Sequence, residues 1–189
     1  MFWHSSRKWR RRMGQDTRKH LSWQVQAQEQ GYTYRVITMV FIDTDLAVKC
    51  LQKRDKLENK KARDVLAYLY NTNDEIRMTS YNYAELIRGA YLSKLVSENM
   101  QAIENLVHKF RIIFSDERSI KAYAQTSATL KLKGEDIGDI DELVSSIVVT
   151  YNDVFFTRNV DHFKRVPGMK VVDWFNYTIP PEPWLRSKN

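Results

Sequence analysis

Residues Val36-Ile-Thr-Met-Val-Phe-Ile42 form a nearly unbroken apolar and β-branched run. Such a run suits a strand buried on both faces, the condition of a strand inside a parallel sheet. Parallel strands need long crossover connections, normally helices, so this one segment constrains everything after it. The chain supplies those crossovers. Ala62, Val65, Leu66 and Leu69 mark one helical face, and residues 76–78 read as a weak, short strand. Thr79 or Ser80 then caps a helix carrying Ala84, Leu86, Ile87 and Ala90. Met100, Ile103, Val107 and Phe110 recur at helical spacing before a compact strand candidate at 111–114. Ser115-Asp-Glu reads as an N-cap with an acidic first turn, opening a helix through Tyr123, Ala124 and Ser127. Ile140, Leu143, Val144, Ile147, Val148 and Tyr151 form the cleanest amphipathic stripe, and strands follow at 154–157 and 170–173. The alternation predicts an α/β domain of three layers with a central, mostly parallel sheet of four to five strands.

Composition sets the outer bounds. A length of 189 residues suits one ordinary domain, here expected over 36–176, with a C-terminal tail over 177–189 that starts beside the Pro180-Pro-Glu-Pro183 run. The net charge of +7 is not spread evenly. Residues 1–20 hold seven Lys or Arg and one Asp, leaving 23 of the 30 basic and 22 of the 23 acidic groups to the other 169 residues. The domain is therefore close to neutral, and the basicity belongs to an extension over 1–35 that reads as disordered. Cys50 is the single cysteine, which excludes an intrachain disulfide and a Cys-based zinc site; it falls on an apolar helix face and reads as core. No apolar stretch approaches a membrane span and no secretory h-region is present, so the expected location is cytoplasmic, without membrane contact. Glycine-rich phosphate loops and nucleophile elbows are absent.

Four short acidic segments carry the chemistry: Phe41-Ile-Asp43-Thr-Asp45, Tyr83-Ala-Glu85, Ile137-Gly-Asp139-Ile-Asp141-Glu142, and Phe156-Thr-Arg-Asn159-Val-Asp161-His162. Each places a carboxylate, or Asn159, just past a predicted strand or early in a predicted helix, where an α/β fold gathers residues into one crevice. Hard oxygen donors suit Mg²⁺ or Mn²⁺, and through them phosphodiester chemistry. Asp43 should emerge at the carboxyl edge of the sheet. Glu85 lies among apolar neighbours, where an unpartnered carboxylate is costly, and this favours a functional role. Asp141 falls in the first turn of its helix, where the helix dipole alone also accounts for an acid. Asp139 reads as an N-cap completed by Glu142 at the third helical position, in preference to a metal ligand. Asp45 reads as an N-cap of the first helix, Asp161 either substitutes for Asn159 or is solvated, and His162 reads as a surface or capping residue.

The same segments, in order and spacing, resemble the PIN-domain family, specifically the VapC-like toxins of prokaryotic toxin–antitoxin pairs. The likeness covers residues 38–174 and runs on through Asp161-His162-Phe163, Val166-Pro167-Gly168 and Val171-Val-Asp-Trp174. It implies a PIN-like three-layer α/β/α fold and an Mg²⁺- or Mn²⁺-dependent endoribonuclease acting on RNA. It also implies a small VapB-like antitoxin as partner, and a homodimer. By position, Asp43, Glu85 and Asp141 correspond to the core metal-site acids, with Asn159 where many relatives place a fourth acid. Thr44 and Thr157 correspond to hydroxyls that orient the carboxylates. Two other functions stay open: a PIN nuclease that matures or degrades RNA without an antitoxin, and a catalytically silent PIN module that binds RNA or protein. Such toxins commonly begin just before the first strand, where Met39 stands. The preceding segment therefore reads as a mis-called start or an accessory tail, with a basic RNA-binding arm using Trp3 and Trp9, or an organellar transit peptide, as alternatives.

Overall fold

β-Branched and aromatic residues build a five-stranded sheet with every pairing parallel, in the order β3-β2-β1-β4-β5. The structure, a computed structural model, describes residues 39–53, 56–73 and 75–179, all within one compact unit, Thr38–Asn189. The expected basic extension over 1–35, and residues 180–189 of the expected tail, lie outside the described residues. Along the chain the elements are β1 (Met39–Ile42), α1 (Thr44–Leu51), α2 (Leu57–Thr72), β2 (Glu75–Thr79), α3 (Ser80–Tyr91) and α4 (Val96–Val107). They continue with β3 (Arg111–Ile113), α5 (Glu117–Lys133), α6 (Asp139–Tyr151), β4 (Val154–Thr157), α7 (Val160–Phe163) and β5 (Lys170–Asp173). No helix among the described residues is long and apolar enough to cross a membrane.

The period of two in the strands divides the core into two faces. Val40, Ile42, Ile76, Met78 and Phe156 pack with Leu46 and Ala47 of α1, Ala62, Val65 and Leu69 of α2, Leu86 and Ala90 of α3 and Ile103 of α4. Phe41 and Phe155 point the other way, against Val144, Ile147 and Val148 of α6 and Phe163 of α7. The three-layer expectation is met. Residues 76–78, read as a weak strand, belong to a five-residue strand inside the sheet, with Arg77 on the second face. Its guanidinium lies over the Tyr151 ring, 4.8 Å from the centroid, and bonds Glu75 and Asp153 at 2.6 and 2.7 Å. A buried cation is tolerated there because both charge and donors are matched.

The strand order also fixes where a site can form. From β1 the chain moves outward through β2 to β3, then returns to the other side of β1 for β4 and β5. The carboxyl ends of β1 and β4 thus flank the point where the winding reverses, the crevice in which open α/β sheets place ligands.

Three local expectations change. The cap of α5 is Asp116 rather than Ser115, in a reciprocal capping box with Ser119. Ile140 leaves the stripe and is 47% exposed. Asp139 and Glu142 do not form a capping box, because the helix enters one residue earlier: Gly138 is the N-cap, at φ 94°, a conformation that disfavours any side chain. Asp139 is then a helical residue, its side chain 71% exposed and 3.9 Å from Lys131. Glu142 turns to the side of Ser145 and Ser146 and is wholly enclosed, with neither carboxylate oxygen hydrogen-bonded.

An enclosed carboxyl group without partners is destabilising. Glu142→Leu is expected to stabilise the protein by about 1–3 kcal/mol, read as a higher urea midpoint at unchanged slope. A lower midpoint would show that the carboxylate is satisfied by something the described residues do not contribute.

Candidate active site

Asp43 sits one residue past β1 and keeps the ladder going, its N–H donating to the Phe156 carbonyl of β4 at 3.0 Å. The side chain is almost fully buried. One carboxylate oxygen accepts from the Thr44 N–H at 2.7 Å and from the Asn82 side-chain amide at 2.9 Å. The other accepts from the Thr157 hydroxyl at the end of β4. Burial raises its pKa to about 7, Asp45 and Asp141 add to the rise, and the hydrogen bonds from Thr157 and Thr44 oppose it.

Thr79 caps α3 by accepting from the Asn82 N–H at 3.1 Å, which turns the Asn82 side chain toward the end of β1. Asn82 reaches both Asp43 and the Thr44 hydroxyl, the latter at 3.1 Å, while Thr44 donates to Glu85 at 2.6 Å. Glu85, one turn beyond Asn82, is exposed rather than buried, so the desolvation argument for its role does not hold. Its place is set by Thr44 and by its closeness to Asp141, whose carboxyl it pushes upward.

Asp141 lies in the first turn of α6, its side chain 31% exposed. Burial raises its pKa, and nearby His162 works in the opposite direction. Its Oδ2 is 3.4 Å from the Asn159 side-chain nitrogen and 3.6 Å from His162 Nδ1. The amide nitrogen of Asn159 therefore faces the acid, and its backbone N–H donates to Thr157 at 2.9 Å.

Asp45 is not the helix cap; Asp43 occupies that position. Asp45 instead accepts from the Arg158 N–H at 2.7 Å and from the Trp174 indole at 3.0 Å, fastening the β4 and β5 ends to α1. Burial raises its pKa, partly offset by these two donors. Asp161 stands apart, its side chain 85% exposed and paired with Lys164 at 2.7 Å. Asp139 likewise stays outside the crevice, beside Lys131.

Two residues of the site escaped the sequence reading. Asn82 lies one helical turn before Glu85 in a capped helix, a spacing that marked it as a neighbour. His162, read as a surface or capping residue, lies on α7 with its Nδ1 3.6 Å from Asp141.

The donor set is all oxygen, and neither Asp43 nor Glu85 has a Lys or Arg ion pair among the described residues. Uncompensated carboxylate charge in a desolvated crevice suits a hard divalent cation. No three Asp, Glu, His or Cys side chains among the described residues converge closely enough to enclose an ion unaided. That spacing is compatible with Mg²⁺, which keeps several waters and takes few protein ligands.

The parallel sheet, its winding reversal at β1 and the acids at its carboxyl edge define a PIN-like α/β fold. No protein-family model matches the chain. It is 29% identical over 133 residues to Ribonuclease VapC1 of Haemophilus influenzae, spanning 70% of this chain and 96% of that protein. It is 27% identical over 97 residues to the tRNA(fMet)-specific endonuclease VapC of Salmonella typhimurium, spanning 51% and 74%. Among solved structures it is similar to VapBC2 from Rickettsia felis bound to a promoter DNA fragment. There the TM-score is 0.65 at 25% identity, covering 72% of this chain and 99% of that one. The resemblance to VapC-like PIN-domain proteins holds in both sequence and fold.

The Asp43 pKa carries a pH signature. A carboxyl group raised from 3.8 to about 7 on folding binds its proton more tightly in the native state. Its stabilising contribution is complete below pH 3.8 and is lost as pH rises to about 7. In chelator, Asp43→Asn should therefore unfold at higher temperature than the parent at pH 8, with no such gain at pH 4. An equal gap at both pH values would refute the assignment.

Proposed function

We propose that this chain is an Mg²⁺- or Mn²⁺-dependent endoribonuclease, the toxin of a toxin–antitoxin pair, with a small VapB-like protein as its antitoxin. The observation that carries the reading is the Thr44–Asn82 network joining Asp43 and Glu85 at the winding reversal of the sheet, with Asp141 near enough for its charge to couple with both and no Lys or Arg paired with Asp43 or Glu85 among the described residues. Asp43, Glu85 and Asp141 would hold the ion. A bound divalent ion supplies charge neutralisation at the phosphodiester and an activated water.

The chain's own residues do the rest. Thr157 and Asn82 fix the Asp43 carboxylate from opposite sides, so it enters the reaction in one orientation. Thr44 does the same for Glu85. Asn159 faces Asp141 with its amide nitrogen and positions that acid. Asp45 keeps the Arg158–Asn159 turn against α1, closing the crevice on the β4 side. The similarity to a named ribonuclease and a named tRNA endonuclease supports RNA as substrate. The VapBC assembly of the Rickettsia felis neighbour supports an antitoxin.

Purified protein is expected to cut RNA when Mg²⁺ or Mn²⁺ is added and to stop in chelator. Asp43→Asn and Asp141→Asn should each abolish cutting, and Thr157→Val should slow it by about 10–100-fold. Cutting at the parental rate by both Asp variants would refute the site. Induction in a bacterial host should arrest growth, and co-expression of the small protein encoded beside it should relieve the arrest. Arrest that the neighbour leaves untouched would count against the antitoxin.

A further inference from the structure

His162 has a divided environment. Its Nδ1 is enclosed, makes no hydrogen bond, and lies 3.6 Å from Asp141 Oδ2. The side chain as a whole is 45% exposed, so its solvent-facing part is the opposite edge of the ring, which carries Nε2. A ring nitrogen that faces a carboxylate is the one that carries the proton, and the neutral imidazole then has an acceptor at its other nitrogen. The Nδ1 side of the ring thus lies against Asp141, one of the acids that would hold the ion. Arg158, just before α7, lies over the Phe175 ring, 4.6 Å from its centroid, and toward Glu58 and Asp173. Lys164 is occupied by Asp161.

An acceptor at the edge of a phosphodiester site disfavours phosphate oxygens, which are themselves acceptors, and favours a hydroxyl donor. In a nucleic acid that donor is the ribose 2′-hydroxyl, the group that separates RNA from DNA. We infer that His162 is a specificity-determining residue whose Nε2 accepts a hydrogen bond from a ribose 2′-hydroxyl next to the scissile phosphate, with its Nδ1 side facing Asp141. This rests on the ribonuclease reading.

The test uses Asp43→Asn protein, which should hold substrate without cutting it, at pH 8 with Mg²⁺. Fluorescence anisotropy compares a short labelled single-stranded RNA with its all-deoxy counterpart of the same sequence. One hydrogen bond predicts a preference for RNA of about tenfold in this background. His162→Asn retains a nitrogen near the Nδ1 position and nothing at Nε2, so RNA affinity should fall to the DNA level. His162→Gln reaches the Nε2 position with an amide and should retain the preference. Retention of the full preference by His162→Asn overturns the inference. So does a His162→Gln protein as indifferent as His162→Asn, since the residue then acts only on Asp141. A background protein that binds RNA and DNA equally also overturns it. Failure to bind either nucleic acid instead strikes the ribonuclease reading itself.

Discussion

The Asp43 carboxylate is the point on which the described structure turns. Three parts of the chain donate to it: the start of α1 through Thr44, α3 through Asn82, and the end of β4 through Thr157. None of those elements neighbours the others in sequence, and the partners are neutral. The carboxylate is thus desolvated and oriented but not compensated, as its raised pKa records. Burial of that kind is unfavourable for folding, the usual exchange between stability and function at such positions.

Around that carboxylate the structure separates two uses of acidic side chains. Asp45, two residues away, accepts from Arg158 and Trp174 and is committed to joining α1 with the ends of β4 and β5. Glu142, next to Asp141, is enclosed on another side of α6 and bonds to nothing described. Asp139 and Asp161 face solvent with lysine partners. Adjacent acids therefore differ completely in role. The 100° step between helical neighbours, or the reversal of side at a strand end, is enough to send neighbouring carboxylates to different surroundings.

The architecture was legible because it depends on local periodicity. The run before Asp43, the helical spacing in α2 and α6, and the strand at Val154–Thr157 each announce their burial through residues close in sequence. The placement of Asp43, Glu85 and Asp141 at the edge of the sheet follows from the same pattern, since strand ends and helix starts can be read locally. What was not legible depends on distant partners. Nothing near Asp45 reveals that Trp174 will donate to it, and nothing near His162 reveals that α6 will place Asp141 beside its ring. The capping reading of Glu142 failed for a smaller reason, because a glycine at positive φ started the helix one residue ahead of the expected cap. Glu85 was selected on an argument of burial and is exposed; its position near Thr44 and Asp141 stands on geometry instead.

The bond between Thr157 and Asp43 spans 114 residues. Contacts of that sequence separation cost loop-closure entropy before they are rewarded, and topologies built on them fold slowly. Synthesis proceeds from the amino end, so a growing chain carries Asp43, Asn82 and Glu85 long before it carries the strand that completes their setting. A translation product that stops short of β4 has the first acids but lacks the second wall of the crevice. The parallel topology thereby acts as a completeness check, in which an assembled site exists only in chains that extend through β4.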